Sequence, residues 1–341
     1  MEDILFIAIA SVICGAESWY EMEAFGKAKE EWLKTFLRLP GDIPSHDTFN
    51  RVFSGLKPEE LEKSFIAWMQ SVARLAEGEV VAIDGKSMRG TREQGNKSIV
   101  HMVSAWTQEN HIALGQVKVD EKSNEITAIP QLLDLLVLKG CIVTIDAMGC
   151  QRDIAAKIVD KEAHYILALK GNQGNLQEQA EDSFRFLPPV SSDEQVDSGH
   201  GRVETHRCQV IDDLSLIEQA RRWEGMKCLV RVESVRYFKS SGKEEKDTRL
   251  YITSLEANAQ LINAVVRFHW SIENSLHWVL DVAFNEDNSR KRSGFAAQNY
   301  SILNRIALNL LKNEKTTKVG VRGKRLKAGW DNQYLCKLLI N

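Results

Sequence analysis

A chain of 341 residues with 43% apolar side chains and a formal charge of -3 can hold two domains and has the make-up of an ordinary globular protein, which excludes disordered and collagen-like classes. Its six cysteines (Cys14, Cys141, Cys150, Cys208, Cys228, Cys336) have no C-x-x-C spacing and no nearby histidine pair, which argues against a zinc site or a disulfide framework and for a reducing cytoplasm. The apolar run from Ile4 to Ala16 is too short to cross a bilayer, and Glu2 and Asp3 stand where a signal peptide needs positive charge, so no membrane association is expected.

Residues 1–76 have a helical pattern, with Trp32, Phe36, Phe49, Val52, Phe53, Phe65 and Trp68 set between polar residues. Inside this N-terminal domain, Pro44, Ser45 and Asp47 signal a helix start, and the helix they open would turn His46, Asn50 and Arg51 outward. An amphipathic surface helix is the favoured reading there, with a helix presented to DNA as the alternative.

From residue 77 the character changes. "EVVAID", "IVHMVSAW" and "HIALGQVKV" are short β-branched runs that read as strands, the last two joined by a hairpin-length link. "NEITAIPQLLDLLVLKG" reads as a helix closed by Gly140, and "CIVTIDAMG" as a strand buried on both faces. Helix, strand and helix follow in "CQRDIAAKIVDKE", "HYILALKGNQG" and "NLQEQAEDSFRFL", which makes an α/β layered domain. Residues 187–256 break that rhythm as a β-rich insertion: "SSDEQVDSGHGR" is turn-rich, and strands are expected at "VETHRCQVI", "KCLVRVESVRYF" and "TRLYITSL". A long helix from about Asn258 to Val282 then carries a core stripe of Leu261, Val265, Phe268, Ile272, Leu276 and Val279. From Arg290 onward twelve Lys and Arg face only Glu314 and Asp331, a basic C-terminal region that is either a solvated helix face or a patch for a polyanion.

The stretch "VAIDGKSMRG" invites two readings that each fail on one residue. A phosphate-binding loop needs glycine at Val80, and a covalent nucleotidyl transferase needs lysine at Ala82. What remains is Asp84 at the end of an apolar strand, in a polar turn of Gly85, Lys86 and Ser87. Asp146 ends the other strongly apolar strand in the same way, and two such carboxylates side by side at a sheet edge suit a divalent cation. A third acid is expected from the long helix. His269, Glu273 and His277 recur at i, i+4 and i+8, which puts Glu273 beside the core stripe, with Glu286 and Asp287 as competing acids. That row is too long for all three residues to share one tetrahedral zinc.

The pieces "AIDGKSMRG", "VSAW", "GQVKVDEKSNEITAIPQLLDLL", "VTIDAMGCQRDIA", "ALKGNQG", "GHGRVE" and "HWSIENSLHWVLDVAFNED" follow one another over nearly the whole chain. In these the chain resembles the H-repeat-associated proteins of the ISAs-type insertion-sequence transposases. The resemblance implies a DDE transposase: a ribonuclease H-like catalytic domain over residues 77–312, with a β-rich insertion at about 187–256, a helical domain before it and a basic tail at 313–341. It implies Asp84, Asp146 and Glu273 as the catalytic and metal-holding acids. It implies two Mg²⁺ or Mn²⁺ ions, DNA (element ends and target) as partner, and a homodimer assembled on DNA. Supporting DNA contacts are expected from Lys86, Arg89, Lys170, Asn172, Gln173, His200, Arg202, Arg290, Arg292, Arg322, Lys324, Arg325 and Lys327. The chain departs from the pattern in two respects. Family members carry further residues before the point matching Met1, which implies a shortened N-terminus. Val266 and His269 stand where the wider group has Tyr and Arg ahead of the third acid. A decayed transposase that only binds DNA, and a nuclease that cuts without joining, are the alternatives.

Overall fold

The computed structural model describes residues 1–72, 75–92, 99–120, 123–199 and 201–340. The predicted N-terminal helices form as α1 (Glu2–Ile13), α2 (Trp19–Ala28), α3 (Glu30–Leu33), α4 (His46–Gly55) and α5 (Pro58–Val72). They are followed by β1 (Val80–Met88), β2 (Val100–Thr107), β3 (Ala113–Lys118), α6 (Glu125–Leu135), β4 (Ile142–Ile145), α7 (Arg152–Asp160), β5 (His164–Leu169) and α8 (Gly174–Phe186). Then come β6 (Ser191–Gly199), β7 (Arg202–Ile211), β8 (Cys228–Phe238), β9 (Glu244–Thr253) and α9 (Ala259–Ile272). A π turn (Glu273–His277) leads into α10 (Trp278–Phe284), α11 (Ala296–Asn313), α12 (Val321–Trp330) and α13 (Asn332–Ile340). The chain divides into two compact units, one of residues 1–74, 85–122 and 273–341, the other of 75–84 and 123–272.

The first unit is built around α11, which is buried from Ala296 to Leu311. Its polar side chains are matched to backbone groups. Asn309 accepts the Ala113 N–H (2.9 Å) and donates to the Ala113 carbonyl (2.8 Å), as a neighbouring strand would. Asn299 donates to the carbonyls of Phe53 and Leu56, which the end of α4 leaves unsatisfied. Ser45 caps α4 as the sequence predicts, accepting from the Thr48 N–H, and Phe49 and Phe53 are its buried face. His46 is held rather than presented: its Nδ1 lies 2.7 Å from Glu23 and its ring stacks on Tyr20. Strands β2 and β3 pair antiparallel with Ser104 opposite Gln116, and the sheet order in this unit is β3-β2-β1.

In the second unit the order is β1-β4-β5-β9-β8-β7-β6. The pairs β1–β4 and β4–β5 are parallel, and every later pair is antiparallel. The β-rich insertion is therefore an extension of the same sheet, joined where β9 pairs with β5.

Several expectations are corrected. Gly85, Lys86 and Ser87 are not a turn: β1 runs on to Met88, with Lys86 and Met88 inward and Ser87 outward, the alternation of a half-buried strand. The polar stretch before β7 is a full strand, β6, because α9 covers it with polar groups. Asn263 donates to Asp193, and Arg267 donates to Gln195 and Asp197. Helix α6 stops at Leu135, well before Gly140, which takes φ +73° in the turn ahead of β4. The stripe of the long helix also shifts. Leu261 is exposed and Ile262 buried from the first turn of α9, and beyond the π turn, which inserts one residue into the helical count, Leu280 is buried and Val279 only half-buried. The basic C-terminus forms the helices α12 and α13, the helical form expected of it.

Candidate active site

In the second unit the β1–β4 register pairs Ile83 with Ile145, so the next residues, Asp84 and Asp146, leave neighbouring parallel strands side by side. Strands so paired run about 4.8 Å apart, close enough for two carboxylates to share one cation. Both residues are half-buried. Asp146 caps the short 3₁₀ turn Ala147–Gly149: its Oδ1 accepts the N–H of Met148 (3.1 Å) and of Gly149 (3.4 Å). Burial, joined by the negative charge of Glu125, raises its pKa, while those two N–H groups and Lys170 pull it back down. Lys170 is exposed at the end of β5, and the residues after it brace the Asp146 turn. Asn172 donates to the Ala147 carbonyl (2.7 Å) and Gln173 to that of Cys150 (2.9 Å).

The C-terminal end of α9 is fastened over this strand. Buried His269 pairs through Nδ1 with Thr144 Oγ1 at 3.0 Å, two residues before Asp146. Burial, with the Arg249 charge, takes its pKa down to about 4, so the ring is neutral at physiological pH. Nothing in the sequence singles out Thr144 and His269 for this role. An apolar strand bearing one threonine gives no sign of which helix it meets.

In the first unit the π turn begins at Glu273, whose side chain is 70% exposed, with its Oε2 3.1 Å from Nδ1 of buried His277. The two could each lend a ligand atom to one cation. Burial holds the His277 pKa down against the pull of Glu273. The competing acids are engaged elsewhere. Glu286 is fully buried against Arg305 (3.1 Å), and Asp287 lies 3.2 Å from Lys86 and 3.5 Å from Arg89. Lys86 itself is buried, with its ammonium 2.6 Å from Asp281. Asp281 and Arg305, to which the sequence assigns no role, are therefore central to this cluster.

The remaining residues expected to meet DNA divide by exposure. Arg89, Arg202, Arg290, Arg292 and Arg322 are exposed, Arg202 beside Glu204 (2.7 Å) and Arg292 donating to the Gly90 carbonyl. Lys327 is half-buried, with its ammonium over the Tyr334 ring. Lys324 and Arg325 are buried, Lys324 donating to the Leu311 and Glu314 carbonyls and Arg325 to that of Val12. A phosphate would have to break those bonds to reach either one. His200 lies outside the described residues.

A family model described as "Transposase DDE domain" matches residues 76–310, and one described as "DDE_Tnp_1-associated" matches residues 1–69. The chain belongs to the DDE transposase family. It is 45% identical to "Putative transposase YncI" of Escherichia coli O157:H7, over 100% of this chain and 89% of that protein. It is 40% identical to "H repeat-associated putative transposase YhhI" of Escherichia coli strain K12, over 99% of this chain and 92% of that one. The family makes this a transposase with a ribonuclease H-like fold, and makes DNA its partner and a divalent metal its helper. No described helix is long and apolar enough to cross a membrane.

Proposed function

We propose that this transposase cuts and joins DNA strands by metal-assisted phosphoryl transfer, with Asp84, Asp146 and Glu273 as the acids that hold two Mg²⁺ or Mn²⁺ ions. The observation that carries the reading is the β1–β4 register, which brings two aspartates from separate strands to adjacent positions. The donor set fits: all three are carboxylates, the hard oxygen ligands these ions prefer, and Asp146 is oriented by backbone N–H groups that leave its second oxygen to face a cation. When bound, such ions lower the pKa of the attacking hydroxyl and stabilise the leaving oxygen.

The chain's own residues supply positioning. Asn172 and Gln173 hold the Asp146 turn, and the Met148 and Gly149 N–H groups fix its Oδ1. His277 restrains the Glu273 carboxylate. Lys170, Arg89, Arg202, Arg290, Arg292, Arg322 and Lys327 are the cations proposed to follow the DNA backbone. Pairing of two element ends calls for a homodimer on DNA, and six free cysteines suit a reducing cytoplasm.

The test uses a labelled duplex carrying an element end, incubated with Mn²⁺. Joined product is expected from the wild type and none from Asp84→Asn or Asp146→Asn, with DNA affinity nearly unchanged in both. Cleavage without joining points to a nuclease, and salt-sensitive binding without either overturns the catalytic reading.

A further inference from the structure

We propose that Lys86 is a positioning residue that fastens the helix carrying Glu273 to strand β1, and that it does not contact DNA. The proposal rests on the functional reading above and goes beyond it in assigning this side chain. The sequence places Lys86 two residues after Asp84, beside the site, where a phosphate contact is the natural expectation. The structure spends its charge inward. The side chain is 7% exposed, and its ammonium lies 2.6 Å from Asp281 Oδ1, 3.2 Å from Asp287 Oδ1 and 4.0 Å from Glu286 Oε2.

Asp281 lies on α10, two turns past Glu273 along the same helical run, and Asp287 and Glu286 lie in the turn that follows α10. One ammonium on β1 therefore holds the helix and the turn that ends it. The far side of the cluster is closed by Arg305 of α11, which pairs with Glu286 and donates to Ser104 Oγ (3.2 Å) on β2. Gly90 completes the clamp: a Cβ there would stand 2.5 Å from the Ser289 carbonyl oxygen and 2.7 Å from that of Asp287, so β1's exit and the turn after α10 meet backbone to backbone.

Around Lys86 and Arg305 stand three carboxylates, and the exposed Arg89 balances the third. Such a cluster is held by geometry in which each member needs the others. Lys86, Glu286 and Arg305 are the buried members, and removing a partner from one of these leaves a charge out of water at a penalty larger than the loss of a surface ion pair. A lysine kept for phosphate contact would gain nothing from this enclosure. A lysine kept to hold α10 in place requires it.

The variants are Lys86→Met, Asp281→Asn and the double substitution, which removes the stranded carboxylate and keeps a folded variant in hand should the single one fail. Three quantities are measured: Mn²⁺ affinity by calorimetry, the dependence of DNA affinity on salt, and the cleavage rate at saturating labelled duplex. Lys86→Met should weaken Mn²⁺ binding and slow cleavage at saturating DNA tenfold or more, and should leave the slope of log affinity against log salt unchanged. The double variant should recover part of the Mn²⁺ affinity. A slope reduced by about 0.9 with the saturated rate preserved identifies a phosphate contact and overturns the proposal. Unchanged Mn²⁺ affinity in Lys86→Met overturns it as well. A wild type that binds Mn²⁺ but never cleaves overturns the catalytic reading alone, since the affinity comparison still reports on Lys86.

Discussion

Glu62, on α5, is a carboxylate with nowhere to put its charge. Its Oε1 accepts the Gln116 N–H at 2.9 Å, and burial lifts its pKa to about 8 against the opposing effects of that bond and of Arg305. The folded pKa lies above the unfolded one. Its proton therefore stabilises the fold fully below about pH 4.5, and that contribution is lost as pH rises through 8. Glu62→Gln keeps the acceptor and removes the charge. The variant should match the wild type near pH 4 and exceed it in unfolding free energy above pH 8 by a few kcal/mol, since one pKa unit is worth about 1.4 kcal/mol. Chemical denaturation at both pH values checks this, and a difference independent of pH would refute it. Nothing in the sequence marks Glu62, because on a helix an acid bound for the core and one bound for water look alike. Asp84 and Asp146 are legible for the opposite reason: each is a charge that closes a run of apolar, β-branched residues. The burial of Lys86 is not legible, because its carboxylate partners come from far along the chain.

At the scale of elements, the helices and apolar strands are readable wherever one face has to be buried. The failures share a cause. Strand β6 alternates polar with polar, so its period carries no hydrophobic signal, and only the Asp193, Gln195 and Asp197 contacts with α9 explain its form. The π turn is likewise invisible to a count that assumes an unbroken helix. It begins at the first of two acids with opposite burdens. Glu273 is exposed, so Glu273→Gln should leave thermal stability nearly untouched while abolishing metal-dependent cleavage. Glu286 is fully buried against Arg305, so Glu286→Gln strands an arginine and should lower stability by about 3–5 kcal/mol. A melting curve and a cleavage assay on each variant distinguish the roles. If Glu273→Gln cleaves normally, the third acid has been assigned to the wrong residue. The same logic divides α12: replacing Lys324 or Arg325 should cost folding, and replacing Arg322 should not.

For the whole molecule, the formal charge of -3 offers no overall attraction to DNA, so binding has to come from where the cations are left uncovered. The run of basic residues beyond Arg290 overstates that resource, since Lys291, Arg305, Lys324 and Arg325 are buried and bonded inside the fold. Of the first unit's cations proposed for DNA, Arg89, Arg290, Arg292 and Arg322 remain at the surface. Removing one phosphate-binding cation should lower the slope of log affinity against log salt by about 0.9, because one fewer counterion is released on binding. Replacing all four by Gln should therefore flatten the slope by up to about 3.6, and should do so equally for element-end and unrelated duplexes, because backbone contacts carry no sequence. The matching control is Lys324→Gln with Arg325→Gln, which should lower the melting temperature and leave the slope of the folded protein where it was. Fluorescence anisotropy across a salt series reads both. A slope that falls in the control and holds in the fourfold variant would move the DNA path away from these arginines and onto the buried pair of α12.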